Sequence, residues 1–278
     1  MKKNSGGKRG VGSFTVMPFL LPLLLLSSVA VPAEKIRVVT TTSLIGSIVE
    51  RIGGNKVVVT TIVPAGMCPG HFDLKPGQMR DLYTARVVII HGWEKWMKKM
   101  LESPRKPLPI RTVAIEGNWM VPDVQIAAAR EITKILSEID PWQRGWYKEN
   151  LKNYLREIQV FSRKVEKLKE GWGKIKIICA SQQEEFLKWL GLEVVAVYGR
   201  SEELNPKEII AIIEKARKKE VGMVVDNLQS GADTGLEIAR EVGAKHITLT
   251  NFPLNGSYLD SLKENINKIS QSLGCQKL

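Results

Sequence analysis

Residues 147–168 read YKENLKNYLREIQVFSRKVEKL. Apolar side chains recur here at steps of three and four residues, which places them on one face of a helix. They are Tyr147, Leu151, Tyr154, Ile158, Phe161, Val165 and Leu168. Asp140 and Pro141 supply a cap and a first-turn proline ahead of the pattern, and two glycines behind it supply a stop. The pattern predicts one helix over residues 141–170, about 45 Å long at 1.5 Å per residue.

A helix of this length is too long for one small lobe, and short β-like and helical segments alternate on both sides of it. A coiled coil is the alternative, since the pattern reaches the lower limit of three heptads. Strands separated by helices of about ten residues indicate parallel sheets with right-handed crossovers. We therefore predict an α/β fold with two Rossmann-like lobes, each with a parallel sheet, joined by a long rigid α-helix. The predicted divisions are a signal peptide over residues 1–33, an N-terminal lobe over 34–140, the linking helix over 141–172 and a C-terminal lobe over 173–278.

The individual elements follow from the same patterns. In the N-terminal lobe, strands are predicted at residues 36–41, 56–63, 87–90 and 112–115, and helices at 44–52, 77–84 and 122–139. In the C-terminal lobe, strands are predicted at 174–179, 193–197, 221–225 and 246–250, and helices at 183–190, 206–218, 233–242 and 258–273.

The first 33 residues have the composition of an export signal. Basic residues are followed by an apolar core at 16–26 and by small residues that end at Ala30. The core is short and contains two prolines, which disfavours a membrane-spanning anchor. We expect cleavage near Ala30 or Ala33 and an extracytoplasmic mature protein, either periplasmic or secreted.

The charge balance excludes one class of partner. The formal net charge is +12, and four of the cationic side chains lie in residues 1–33, so the rest of the chain carries +8. Lysine and arginine alternate with glutamate along the predicted helices, and no arginine-rich arm or nucleic-acid motif is present. We therefore expect no nucleic acid partner. We also expect the protein to be a monomer. Three cysteines are too few for a disulfide framework.

Polar side chains follow several predicted strands at their carboxyl ends, where open parallel sheets bind ligands. His71 lies in the loop after the second strand, His91 follows the third, and Gln183 and Asp226 follow the first and third strands of the C-terminal lobe. We predict that these four side chains meet at one metal ion between the lobes. A neutral imidazole with carboxylate or amide oxygens suits Zn²⁺ or Mn²⁺ better than Cu(I). His246 begins a strand, at the opposite end of the sheet, and is expected to be structural.

Each predicted ligand has a structural alternative. His71 could be an ordinary surface histidine, His91 a buried core residue, and Gln183 the cap of its own helix. Asp226 could cap the following turn or orient a ligand histidine, as residues behind a metal site commonly do.

The loop over residues 64–76 reads PAGMCPGHFDLKP. It resembles the first ligand loop of the zinc- and manganese-binding solute-binding proteins of metal ABC importers, which usually reads Pro-x-Gly-x-x-Pro-His-x-Phe/Tyr-x-x-x-Pro. The segment VVTTTS at residues 38–43, the long helix and the Tyr258-Leu259 segment also resemble that family. The resemblance covers the mature chain and implies two α/β lobes joined by a rigid helix, with metal bound between them.

The chain departs from this family at the other ligand positions. The family's second histidine stands two residues before a tryptophan in His-x-Trp-x-x-Pro, whereas Gly117 stands two residues before Trp119 here. The third ligand, a histidine or glutamate, is replaced within SQQE at residues 181–184, and the late carboxylate falls near Asn251. The resemblance therefore indicates a divergent member with depleted histidines, in which His71 is the ligand carried over.

Taken with the export signal, the resemblance implies a solute-binding protein that captures zinc or manganese in the cleft and delivers it to an ABC permease, without enzymatic activity. One alternative is a binder of a metal chelate of the siderophore or corrinoid type, for which Trp93, Trp119 and Arg200 are available. The other is a metal-dependent enzyme with Glu184 or Asp226 as base. The sequence contains no nucleophile elbow, phosphate loop or dinucleotide glycine motif to accompany such a base.

Overall fold

The computed structural model describes residues 1–4, 6–7, 10, 12, 34–97, 107–254, 256–275 and 277–278, with the backbone alone for His71. The chain divides into two compact units, Met1–Ala33 and Glu34–Leu278. The apolar core and the cleavage positions predicted for the export signal lie outside the described residues. Among the helices that are described, none combines the length and the hydropathy needed to cross a bilayer.

The N-terminal lobe alternates strands and helices around one sheet. Its elements are β1 Ile36–Thr40, α1 Ser43–Gly53, β2 Val57–Thr61, α2 Pro76–Thr84, β3 Val87–Ile90, β4 Ile110–Thr112 and α3 Pro122–Ile139. The β-branched residues of β1 and β3 favour strands, and both strands lie between helices, as in other parallel sheets. The Thr42 hydroxyl accepts the N–H of Ile45 and caps α1.

The long helix α4 Arg144–Lys169 follows, and the C-terminal lobe repeats the alternation. Its elements are β5 Lys176–Ala180, α5 Glu184–Trp189, β6 Glu193–Tyr198, α6 Pro206–Lys219, β7 Met223–Asn227, α7 Leu236–Val242, β8 Lys245–Leu249 and α8 Tyr258–Leu273. Reciprocal side-chain to backbone bonds start α6 at Asn205 and Glu208, and start α8 at Ser257 and Asp260.

Both sheets have four parallel strands in the same arrangement. The orders are β2-β1-β3-β4 and β6-β5-β7-β8. Val38 of β1 pairs with Val59 and Val87 on either side, and Ile177 of β5 pairs with Val194 and Met223. In each sheet the strand order reverses beside the first strand, so the connections leave on opposite faces there and open a crevice at the carboxyl ends of the strands.

The helix α4 packs along the molecule and is not an isolated spacer. Tyr147, Tyr154, Ile158 and Val165 are buried, as the three-and-four spacing predicts. They belong to one apolar cluster that also contains residues of both sheets and of helices α1, α3 and α8. One apolar cluster therefore runs through both lobes and the helix between them, and each lobe also has a separate cluster of its own.

The predicted fold class is confirmed, with corrections to three elements. The long helix begins at Arg144, after a 3₁₀ turn over Pro141–Gln143, so it spans about 39 Å at 1.5 Å per residue. The fourth strand is Ile110–Thr112, where β4 pairs with β3, and the chain has turned by residue 115. The helix predicted from residue 233 begins at Leu236. The lobe boundaries at residues 140 and 172 stay predictions.

Candidate functional site

A cavity of about 720 Å³ lies between the two lobes. Its walls come from the carboxyl ends of β3 and β4 in the N-terminal lobe and of β5 and β8 in the C-terminal lobe, with one residue from α1. The lining residues are Leu44, His91, Gly92, Trp93, Thr112, Ala114, Ile115, Glu116, Gly117, Asn118, Trp119, Ser181, Gln182, Glu185, Asn251 and Phe252. The cavity therefore occupies the position where the sheet topology predicts ligand binding.

A buried carboxylate, Glu94, organises the N-terminal wall. It accepts the hydroxyl of Thr41 at 2.5 Å and the backbone N–H groups of His91 and Gly92 at 2.8 and 2.7 Å. These three donors fix the turn after β3, since a buried charge needs its hydrogen-bonding capacity met. This turn fixes the position of His91.

His91 is held in place between aromatic rings. Its Nε2 lies 2.8 Å from the Thr42 hydroxyl oxygen, its ring stacks on Trp93 with centroids 5.0 Å apart, and Trp119 meets it edge-on at 4.5 Å. Burial lowers the pKa of His91 to about 4, an effect that the nearby negative charge of Glu94 partly opposes. The imidazole is therefore neutral at pH 7, the form that binds metal ions.

A network of amides lies behind the C-terminal wall and reaches it at Gln182. Gln183 donates to the Asn227 side-chain oxygen at 3.0 Å, and the Asn227 amide donates to the Ser230 hydroxyl at 2.9 Å. That hydroxyl donates to the side-chain oxygen of Gln182 at 3.1 Å. The Gln183 Oε1 is buried and has no hydrogen-bond partner among the described residues. This network is uncharged, so protonation does not change it near neutral pH.

Asp226 faces the interior of the C-terminal lobe. It is fully buried, and its carboxylate accepts the Tyr198 hydroxyl at 2.6 Å and the Gly235 N–H at 3.0 Å. Its Oδ2 also lies 2.6 Å from the Nε2 of His246. The contact with Gly235 explains why α7 starts late, because it holds the preceding turn against the end of β7.

Asn118 joins the two lobes across the cavity. Its side-chain amide donates to the backbone oxygen of Gln182 at 2.8 Å and to the side-chain oxygen of Asn251 at 3.2 Å. Its backbone N–H donates to Glu185 at 2.5 Å. Three C-terminal residues thus attach to one residue of the N-terminal lobe.

Gln229 makes a second connection between the lobes. Its amide donates to the backbone oxygen of Ala65, in the loop after β2, and to the Thr250 hydroxyl, both at 2.8 Å. Its side-chain oxygen accepts the N–H of Asn251 at 3.1 Å. The loop that carries His71 is therefore tied to the C-terminal lobe.

The loop after β2 places its histidine one position away from the family pattern. Along Pro-x-Gly-x-x-Pro-His, the histidine position falls on Gly70, and His71 occupies the next residue of a 3₁₀ turn, Pro69–His71. A Cβ atom added to Gly70 would lie 4.0 Å from a guanidinium nitrogen of Arg200. A permanent positive charge from the C-terminal lobe thus lies close to the family's first ligand position.

Gly117 has a structural reason to be glycine. Its φ is +99°, and an added Cβ would lie 2.9 Å from the Oε1 of Glu185. A histidine at this position would therefore strain the backbone and displace Glu185.

Among the four predicted ligands, His91 lines the cavity, and the backbone of His71 lies in the loop that Gln229 holds. Gln183 and Asp226 do not line it, because they are buried in hydrogen bonds within the C-terminal lobe. Within the described residues, no group of three or more His, Cys, Asp or Glu side chains is placed to hold a metal ion. Metal binding by the four together stays a prediction, which the geometry of Gln183 and Asp226 does not favour.

Sequence reasoning missed Glu94, Asn118, Gln229 and Glu185. A signal existed for two of them, because Glu94 lies three residues after His91, and Asn118 directly precedes the tryptophan of the quoted motif. The roles of the other two depend on contacts between distant segments.

Comparison with known proteins identifies the family. The family model described as ZnuA, zinc-uptake complex component A periplasmic, matches residues 38–272. A metal ABC transporter substrate-binding lipoprotein, SloC of Streptococcus mutans, is 27% identical over 91% of this chain and 95% of its own length. A manganese ABC transporter substrate-binding lipoprotein, PsaA of Streptococcus mitis, is 24% identical over 88% and 91%.

The solved structure of ZnuA superimposes with a TM-score of 0.75 at 21% identity, over 86% of this chain and 100% of that one. At this identity the likeness concerns the fold. The family match spans both sheets, the long helix and every segment that lines the cavity. The chain therefore belongs to the ZnuA family of periplasmic zinc-uptake components.

Proposed function

We propose that this protein is the extracytoplasmic solute-binding component of a metal ABC importer, and that it captures a divalent transition metal, zinc or manganese, in the inter-lobe cleft. The observation that carries the proposal is the family match over residues 38–272, which includes the whole cleft. Relatives named for metal or manganese ABC transport align along nearly their full length. The permease of such an importer is the proposed partner.

Binding and release require no covalent chemistry, so the protein needs differential affinity between its loaded and released states and no catalytic group. We assign contact with the cargo to His91 and to the loop with His71. Gln183 and Asp226 are assigned to holding the C-terminal loops in place. The protein is proposed to act as a monomer, after cleavage near Ala30 or Ala33, and without enzymatic activity.

The connections between the two lobes limit how far the lobes can move when metal binds and is delivered. One apolar core joins both lobes to α4, and Asn118 and Gln229 connect them at the cleft. We therefore expect small adjustments of loops and side chains upon loading and no wide hinge closure. Small-angle scattering of the apo and loaded protein should give superimposable profiles, and a large compaction would contradict this expectation.

The direct test is elemental analysis of the mature protein after purification without chelators, followed by calorimetric titration with Zn²⁺ and Mn²⁺. We expect one equivalent of metal per chain and at least tenfold weaker binding by His71→Ala, since one ligand contributes at least about 1.4 kcal/mol. His246→Ala is not a clean control because it contacts Asp226, so Cys275→Ser serves instead. Unchanged stoichiometric binding by His71→Ala would remove the proposed anchor.

A further inference from the structure

The cavity is far larger than a bare ion requires. Its volume is about 720 Å³. Sites of about 300–1,000 Å³ are typical for small organic ligands. A metal ion held directly by side chains needs several ligand atoms about 2 Å away, and the described residues include no group of three or more His, Cys, Asp or Glu side chains placed to supply them.

Several polar atoms around the cavity also form hydrogen bonds with one another. Asn118 and Asn251 bond to each other and to the backbone of Gln182, and Glu185 accepts the N–H of Asn118. Glycine occupies position 117, where the family pattern has a histidine. The amide groups of the cleft are therefore occupied, and within the described part of the chain its histidine and two carboxylates are not grouped to hold a bare ion.

The lining is instead suited to a larger, positively charged guest. Trp93, Trp119 and Phe252 supply aromatic surface, and the Trp93 side chain is half exposed in the cavity wall. Glu116 and Glu185 supply two carboxylates. Among the described residues, none of those that line the cavity is lysine or arginine, and the Arg200 guanidinium lies beside Gly70, outside this lining. Carboxylates accept hydrogen bonds and attract positive charge, and aromatic faces attract cations.

We propose that this cleft takes its metal already wrapped in a small organic ligand, as a cationic complex that presents N–H donors. The chelator supplies the metal's ligand atoms, and its apolar surface packs on Trp93, Trp119 and Phe252. Its N–H groups donate to Glu116 and to Glu185, whose Oε2 already accepts the Asn118 N–H. This inference rests on the proposed function, since it specifies the form in which a metal importer component receives its cargo.

A substitution-inert complex tests this recognition, because it cannot exchange its ligands for protein side chains. Tris(ethylenediamine)cobalt(III) carries N–H donors, methylene groups and positive charge, and hexaamminecobalt(III) carries the N–H donors and the charge without the methylenes. Both are titrated calorimetrically into the mature protein, alongside ethylenediamine without metal and Zn²⁺ and Mn²⁺ alone. We expect the tris(ethylenediamine) complex to bind at one site, more tightly than hexaamminecobalt(III) or the free diamine.

Substitutions inside and outside the cleft test whether the complex binds there. Trp93→Ala is expected to weaken the tris(ethylenediamine) complex about fivefold or more through loss of the cation–aromatic contact. Glu116→Gln is expected to weaken it by about twofold to fivefold and to reduce the dependence of binding on salt. Matched controls are Trp142→Ala, an exposed tryptophan outside the cleft, and Glu214→Gln, an exposed carboxylate of α6, and both should bind as the parent does.

The outcomes separate this inference from the proposed function. Stoichiometric binding of Zn²⁺ or Mn²⁺ alone, with no heat from either cobalt complex at millimolar concentration, overturns the inference and leaves the proposed function intact. Equal binding of metal-free ethylenediamine and its complex overturns the inference because metal is then not part of the guest. If no metal and no complex binds, both proposals fail.

Discussion

In the N-terminal lobe, the side chains behind the cleft wall are tied to a buried carboxylate, Glu94, whereas in the C-terminal lobe they are tied to one another through neutral amides. In the C-terminal lobe, Asp226 and His246 meet in the interior, and Glu185 is the carboxylate of that lobe that lines the cleft. In the N-terminal wall, His91 reaches the cavity and stacks there on the ring of Trp93.

This difference separates two duties. The N-terminal wall holds a neutral imidazole in a fixed orientation, and its stability depends on pH. The C-terminal wall is held to the N-terminal lobe by hydrogen bonds of amide groups and by the Glu185 carboxylate, which accepts the Asn118 N–H. The experiments below are designed to disrupt one of these two roles without affecting the other.

The largest effect is expected for Asp226→Ala. The change removes the side-chain acceptor of the Gly235 N–H and the partner of His246, and it leaves the Tyr198 hydroxyl with the Val225 oxygen at 3.2 Å. Each unsatisfied buried group costs about 1–3 kcal/mol. We expect the free energy of unfolding to fall by about 3–5 kcal/mol in urea titrations. Asp233→Ala, an exposed carboxylate in the same turn, should change it by less than about 0.5 kcal/mol. A stable Asp226→Ala protein that had lost metal binding would instead support a ligand role.

A smaller effect is expected from acidification of the N-terminal wall. The unfolded chain protonates His91 near pH 6.5, whereas burial keeps the folded form neutral until the pKa of about 4. Stability from this group is therefore full above pH 6.5 and is lost as the pH falls towards 4, by about 3 kcal/mol at 1.36 kcal/mol per unit.

Urea midpoints measured from pH 7.5 to 4 test this expectation. His91→Asn keeps a polar side chain without a titrating group, so its profile should lack this part of the decline. Parallel profiles for the parent and the variant would show that His91 does not carry the pH dependence.

The smallest effect is expected for Asn118→Ala, which removes the hydrogen bonds to Gln182 and Asn251. We expect a loss of about 1–2 kcal/mol in unfolding free energy, with faster hydrogen exchange of backbone amides near residues 118 and 182. Asn150→Ala removes a bond from α4 to the backbone of Ile52 and is the matched control, because it does not touch the cleft. Unchanged exchange in Asn118→Ala would show that this residue does not hold the lobes together.

Elements with a strong local pattern were predictable from the sequence. The bounds of β3, α3 and α8 agree with the structure, because apolar spacing, prolines and caps are local signals. The late start of α7 was not predictable, since it depends on the contact between Gly235 and Asp226. The long helix starts three residues later than predicted because the first turn after Pro141 is 3₁₀.

The site was predictable in position but not in detail. Strand ends correctly indicated the cleft, and His91 lines it. The orientation of Asp226 depends on Tyr198, from a strand 28 residues earlier, and on His246, 20 residues later. A strand-end position alone does not reveal such partners. The spacing therefore placed Asp226 at the correct end of the sheet, but its carboxylate lies inside the C-terminal lobe and not at the cavity.

The apolar core shared by both lobes limits how this protein can evolve. A lobe separated from α4 would present part of that core to water, so neither half is expected to fold without the other. New cargo preferences should therefore arise through substitutions in the loops at the strand ends, and recombination of intact halves between relatives should yield insoluble chains.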